Sequence, residues 1–215
     1  MKRIFCILLL LSFCIPAMFA ASDDDIYDDY EYDQNGAGDQ FFKIDLTAAI
    51  PLNFKGSEAN ADINTQGKWQ MKVGPAFGLS YYRFIDTTLA LGGDIGFAYN
   101  ATLKKRALLT VPLTLGIMYQ PYAGNFEFPI TLTCGISALS CQGMTFFPAL
   151  TVKGSAGIFY RINESWSAGI NASLMWIPMW LKKEYIGLYK NPDGTDKTYD
   201  HGFFSNAGIA VRYHF

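Results

Sequence analysis

Between residues 41 and 215, segment after segment carries its apolar side chains at every second position, and the face between them is made mostly of small residues with few charges. A period of two is the repeat of a β-strand, whose successive side chains point to opposite faces. In the segment 41–50, Phe42, Ile44, Leu46, Ala48 and Ile50 share one face, and Lys43, Asp45 and Thr47 share the other. The same alternation recurs over 69–83, 88–99, 108–119, 126–138, 146–161, 166–177 and 203–215, which predicts eight strands. Nine Asp, Glu, Lys or Arg residues fall within these spans. Eight of them (Lys43, Asp45, Lys72, Asp94, Glu127, Lys153, Arg161 and Arg212) lie on the less apolar face, and Arg83 at a strand end is the exception.

Which face is wet decides the class. A water-soluble barrel covers its outside with solvated groups, yet between Ala107 and Val152 this chain has one charged residue, Glu127. The face opposite the large apolar residues is built mainly of Gly, Ala, Ser and Thr, as in Thr88, Ala90, Gly92, Asp94, Gly96 and Ala98. Small polar groups suit a narrow lumen, and Leu109, Val111, Leu113, Leu115 and Ile117 suit hydrocarbon. No segment after the N-terminal stretch has the roughly twenty consecutive apolar residues of a membrane helix. A closed barrel is the other spanning solution, because every backbone polar group must be paired in lipid. The expected fold is all-β: a closed, eight-stranded, antiparallel, up-and-down transmembrane β-barrel over residues 41–215.

The predicted connections contain 18, 4, 8, 6, 7, 4 and 25 residues, so long and short ones alternate. Both termini are then periplasmic and the longer loops face outward. Aromatic girdles are expected at both rims: Phe42, Tyr81, Tyr119, Phe126, Tyr160, Trp166, Tyr213 and Phe215 at the terminal end, and Trp69, Tyr99, Phe146, Trp176 and Phe203 at the other. Pro75, Pro112, Pro129 and Pro148 fall inside predicted strands, where each removes a ladder donor, so bulges or shifted boundaries must absorb them.

The first 22 residues have the layout of a secretory signal peptide: Met1-Lys2-Arg3, an apolar run, then Ala20-Ala21-Ser22. Cleavage after Ser22 fits the small-x-small pattern better than cleavage after Ala20, and a lipoprotein site at Cys14 is disfavoured by the bulky Phe13 before it. Residues 23–40 hold eight of the nineteen acids and read as a flexible acidic tail. Glu31, Asp33, Asn35 and Gly36 mimic half of a calcium loop, but Phe42 stands where its closing Glu belongs. Cys134 and Cys141 would lie about 23 Å apart on one strand, so free thiols are expected unless a turn intervenes.

Overall net charge is −2, which gives no basic field for nucleic acid. Only His201 and His214 are present. His201 and Ser205 share a strand face about 13 Å apart, too far for proton transfer. No metal-ligand cluster or phosphate loop is present, so neither enzymatic activity nor a cofactor is expected. Lys43, Asp45, Lys72, Asp94, Glu127, Lys153 and Arg212 are expected to pair inside the lumen and plug it, with an open channel as the alternative. The loops at 51–68 and 178–202 are the expected contact surfaces. In the second, Trp180, Lys182, Lys183, Tyr185 and Tyr189 combine aromatic and basic groups suited to a host surface, another surface ligand or lipid headgroups.

The final residues Val211, Tyr213 and Phe215, preceded by Ala207 and Ile209, resemble the C-terminal assembly signal of bacterial outer-membrane proteins. With eight strands, residues 41–215 resemble the small outer-membrane barrels represented by OmpX, the OmpA membrane domain and OmpW. The resemblance implies an outer-membrane location, contact with outer-membrane lipids and recognition by the barrel assembly machinery. It implies no single activity; an adhesive or structural role competes with an OmpW-like conduit for small hydrophobic molecules.

Overall fold

The computed structural model describes residues 35–54, 71–101, 107–141, 144–180 and 199–215. The chain forms ten strand segments: β1 Gln40–Phe54, β2 Gly74–Phe84, β3 Leu89–Ala101, β4 Ala107–Tyr119, β5 Tyr122–Ala123, β6 Phe126–Glu127, β7 Ile130–Cys141, β8 Met144–Arg161, β9 Trp166–Trp180 and β10 Tyr199–His214. Each long strand pairs antiparallel with its sequence neighbour, and β1 pairs with β10 to close the sheet. β6 and β7 pair with the same strand, β8, and together make one stave, so the barrel has eight.

Closure requires a definite stagger. Following paired residues once around, from Phe41 through Tyr82, Gly92, Gly116, Thr133, Lys153, Met175 and Phe204, returns to β1 at Pro51, ten residues beyond the start. For eight strands this stagger tilts the staves by about 40° and leaves an interior only wide enough for side chains.

The faces fall as the alternation demands. Phe42, Ile44 and Leu46 are exposed, as are Leu113, Leu115 and Ile117, so the large apolar groups point outward. Lys43, Asp94, Glu127 and Arg212 are buried inside. Trp176 stacks on Phe203 near one rim. At the other, Phe42, Phe215 and Tyr213 stack in series and Trp166 packs on Tyr213. Trp and Tyr rings, with an apolar body and a polar edge, belong at such depths, and the Phe rings pack against them.

The prolines account for most irregularities. The β3–β4 ladder skips the rungs opposite Val111 and Pro112, between Ile95–Leu113 and Ala98–Thr110. Pro129 lies in the break between β6 and β7, and Pro148 in the register shift between β7 and β8. Pro75 pairs with Ala48 on one side, and on the other the β2–β3 ladder starts only at Ala76. Each ring thus sits where a donor is not required.

Three expectations change. β1 runs on to Phe54 and β2 begins only at Gly74, while β9 and β10 extend to Trp180 and from Tyr199, so the ends of the loops 51–68 and 178–202 are strand. Residues 35–39, assigned to the flexible tail, are folded: Asn35 is buried, and Gly38 N–H donates to Phe84 O at 2.8 Å. Acidic composition alone points to disorder, but backbone pairing with Phe84, far away in sequence, holds these residues. Finally, the lumen holds clusters of large apolar groups beside its small and charged ones, with Met71, Leu108, Leu139, Met175, Ile177 and Phe204 in one and Phe41, Tyr82, Phe84 and Met118 in the other. The signal-peptide residues 1–22 and residues 23–34 of the tail lie outside the described residues.

Candidate functional site: the charge network of the lumen

The inward charges sit in two layers. The layer nearer the middle joins β1, β3 and β8. Lys153 Nζ lies 3.1 Å from Asp94 Oδ2, the Tyr82 hydroxyl donates to Asp94 Oδ1 at 3.3 Å, and Lys43 Nζ is 3.7 Å from Asp45 Oδ2. Asp45 stands directly across from Gly78 on β2. A Cβ on Gly78 would come within 2.6 Å of the Asp45 carboxylate, so glycine makes the seat for that anion. Gly78→Val is expected to displace Asp45 from Lys43 and cost about 1 to 3 kcal/mol, read as a lower denaturation midpoint in lipid vesicles with the folded gel mobility retained.

The second layer lies toward the end of the barrel where β10 finishes at His214. Glu127, on β6, is 0% exposed and is held from two sides. Arg161 Nε on β8 lies 2.9 Å from Glu127 Oε1, and Arg212 Nη1 on β10 lies 3.0 Å from Oε2. Arg212 Nη1 also donates to Gln120 Oε1 at 2.8 Å, and Arg161 Nη2 donates to Asn35 Oδ1 at 2.6 Å. The Arg212 guanidinium carbon rests 3.6 Å from the Phe159 ring centre and 4.7 Å from that of Phe41. A planar cation takes ring faces and a carboxylate together, which a lysine does less well. Ser167 and His214 share a hydrogen bond of 3.0 Å beside this layer. Ser167 is fully buried, so the pair faces no substrate-sized space.

Between the layers lies a cavity of about 10 Å³, lined by Lys43, Tyr82, Thr131, Phe159, Asn171 and Arg212. That volume holds about one water molecule. Thr131 and Ser155 hydrogen-bond across its wall, and Ser137 and Thr151 do the same farther along the bore.

Of the seven predicted lumen charges, six face inward and are ion-paired: Lys43, Asp45, Asp94, Glu127, Lys153 and Arg212. Lys72 does not join them; it is exposed and precedes β2, because the strand starts at Gly74 rather than at residue 69. Arg161, expected nearer an end, takes part in the ionic layer. Gln120 falls in the predicted linker 120–125, yet continuing the inward series Thr114, Gly116, Met118 by one step reaches it. Asn35 had no signal in the sequence. Cys134 is a free thiol on the exposed face of β7. Val211, Tyr213 and Phe215 lie on the exposed face at the end of the chain. Trp180 ends β9, whereas Lys182, Lys183, Tyr185 and Tyr189 lie outside the described residues. Among the described residues no group of three or more His, Cys, Asp or Glu side chains could hold a metal ion.

Comparison with known proteins gives the same architecture. The chain is 24% identical over 200 residues, 85% of its length, to an uncharacterized protein of Treponema pallidum (strain Nichols). It spans about two thirds of the length of the curated relatives it matches. Among solved structures, Neisserial surface protein A superposes with a TM-score of 0.54 and 13% identity, covering 83% of this chain and 99% of that one. The outer membrane protein OprG of Pseudomonas aeruginosa superposes with a TM-score of 0.52 and 12% identity, covering 85% and 98%. A protein-family model matches residues 22–213. The chain belongs to the family which that model defines, and its fold is that of the small eight-stranded outer-membrane β-barrels of the OmpX and OmpW type.

Proposed function

We propose that this integral outer-membrane barrel is a non-enzymatic surface protein: its bore is plugged, its termini lie in the periplasm, and its loops meet ligands outside the cell. The observation that carries the plug is Glu127, which reaches from one wall and is tied to Arg161 and Arg212 on two others. Buried ion pairs of this kind add little net stability over apolar packing, yet breaking one strands a charge, so they hold a fixed arrangement. With the bore occupied, ligand contact falls to the loops, where 178–202 carries Trp180, Lys182, Lys183, Tyr185 and Tyr189. The assembly machinery would read Val211, Tyr213 and Phe215, and outer-membrane lipids would coat the apolar face.

A second reading, a conduit for small hydrophobic molecules, is favoured by the apolar lining of Met71, Leu108, Leu139, Met175, Ile177 and Phe204 at the end away from the termini. Planar bilayers and adhesion assays separate the two. The expected result is electrical silence, with adhesion of cells displaying the protein to host cells lost when residues 181–198 are replaced by a short turn. Reproducible channels that respond to small apolar solutes would transfer the assignment to the conduit.

A further inference from the structure

We propose that residues 35–39 form a latch that shuts the terminal mouth of the barrel and holds the Glu127 layer out of water. The segment is a tight turn. Gly36 N–H donates to Asp39 Oδ2 at 2.7 Å, and Asp39 N–H donates to Gly36 O at 3.2 Å. Among the described residues its backbone attachment to the barrel wall is one reciprocal pair, Gly38 N–H to Phe84 O and Phe84 N–H to Asp39 O, both 2.8 Å. From this turn the Asn35 side chain enters the mouth, 1% exposed, and accepts a hydrogen bond from Arg161. Arg161 in turn holds Glu127, and directly across from Arg161 on β9 stands the buried Ser167.

The staves are paired along most of their lengths, from Phe41–His214 to Phe54–Gly202 between β1 and β10, whereas among the described residues the turn has a single backbone pair and one side chain tying it to the wall. Segments with so few ties open locally at far lower free energy than the sheet. The turn can therefore lift without opening the barrel, taking Asn35 from Arg161 and admitting water to the layer behind it. Gly38 supplies a means of lifting it: its φ is +104°, a conformation that residues other than glycine rarely adopt, and among the described residues no atom beyond its chain neighbours lies within 4 Å of a Cβ placed there. Gly38→Val thus strains the backbone of the turn and touches nothing in the bore.

The latch rests on the reading of the bore as plugged, and the experiment distinguishes the two. Single reporters, Ser167→Cys behind the latch and Ser137→Cys farther along the bore, are placed in the full chain with its other cysteines changed to serine. The protein, refolded in vesicles, is exposed to a charged methanethiosulfonate reagent. Both reporters should be modified slowly in the parent, and Gly38→Val or Asn35→Ala should speed modification of Ser167→Cys about tenfold or more while Ser137→Cys is unchanged. An unchanged rate at Ser167→Cys, or an equal rise at both reporters from general loosening, overturns the latch. Rapid labelling of Ser137→Cys in the parent overturns the plugged bore, and the latch with it.

Discussion

Replacing Glu127 by glutamine is expected to lower folding stability by about 3 to 5 kcal/mol, the range for breaking a buried ion pair from one side. The reason is what remains rather than what is removed. Glu127 is 0% exposed and stands between Arg161 Nε at 2.9 Å and Arg212 Nη1 at 3.0 Å, so a neutral amide leaves two guanidinium groups facing each other in the same buried layer. Phe159 and Phe41 attract Arg212 through their ring faces, but they supply no countercharge. Asp45→Asn is the control: its pair with Lys43 is longer, at 3.7 Å, and Asp45 is less enclosed than Glu127, so a smaller loss than at Glu127 is expected. Urea unfolding in lipid vesicles, followed by heat-modifiable gel mobility, reads both. Equal losses at Glu127 and Asp45 would remove the special standing of the terminal layer. A Glu127→Gln barrel as stable as the parent would show that the two arginines are solvated, and the bore therefore open.

What the sequence disclosed and what it hid follow from the range of the interactions. Alternation is local, so the outward set Phe42, Ile44, Leu46 and the inward set Lys43, Asp45 were legible from residue spacing alone. The outward Leu113, Leu115 and Ile117 were legible in the same way. Strand ends were less so. The run from Trp69 alternates in sequence, but β2 does not begin until Gly74, and Lys72 leaves the lumen with the residues before it. The prolines marked irregular places but not their form: Pro112 sits at skipped rungs, Pro129 at a strand break and Pro148 at a register shift. Partners were not legible, because pairing Glu127 with residues 34 and 85 positions away needs the barrel stagger. Asn35 was hidden for a different reason. Its neighbours in sequence are acidic and polar, and only the return of the chain beneath Phe84 brings its amide to Arg161.

Two apolar residues with nearly the same exposure should respond very unequally to the same change. Leu115 is 68% exposed and Ile162 is 62% exposed. In water, a lysine at either place would be close to neutral, because both side chains already face the solvent. In a bilayer their depths differ. Ile162 follows the end of β8 and hydrogen-bonds across to Trp166 at 2.9 Å, level with the aromatic girdle at this rim. Leu115 lies four residues along β4 from Tyr119, about 10 Å toward the middle of the bilayer at the tilt of these staves. Leu115→Lys is expected to cost about 2 to 4 kcal/mol, and Ile162→Lys between about 0 and 1 kcal/mol, the values for a cation near the midplane and at the interface. Refolding yield and urea midpoint in vesicles measure the difference. The comparison isolates the surroundings of the outer face, since exposure, residue class and introduced charge are matched. Two variants of equal stability would mean that water rather than hydrocarbon lies against Leu115, and the apolar wall would then need another cover.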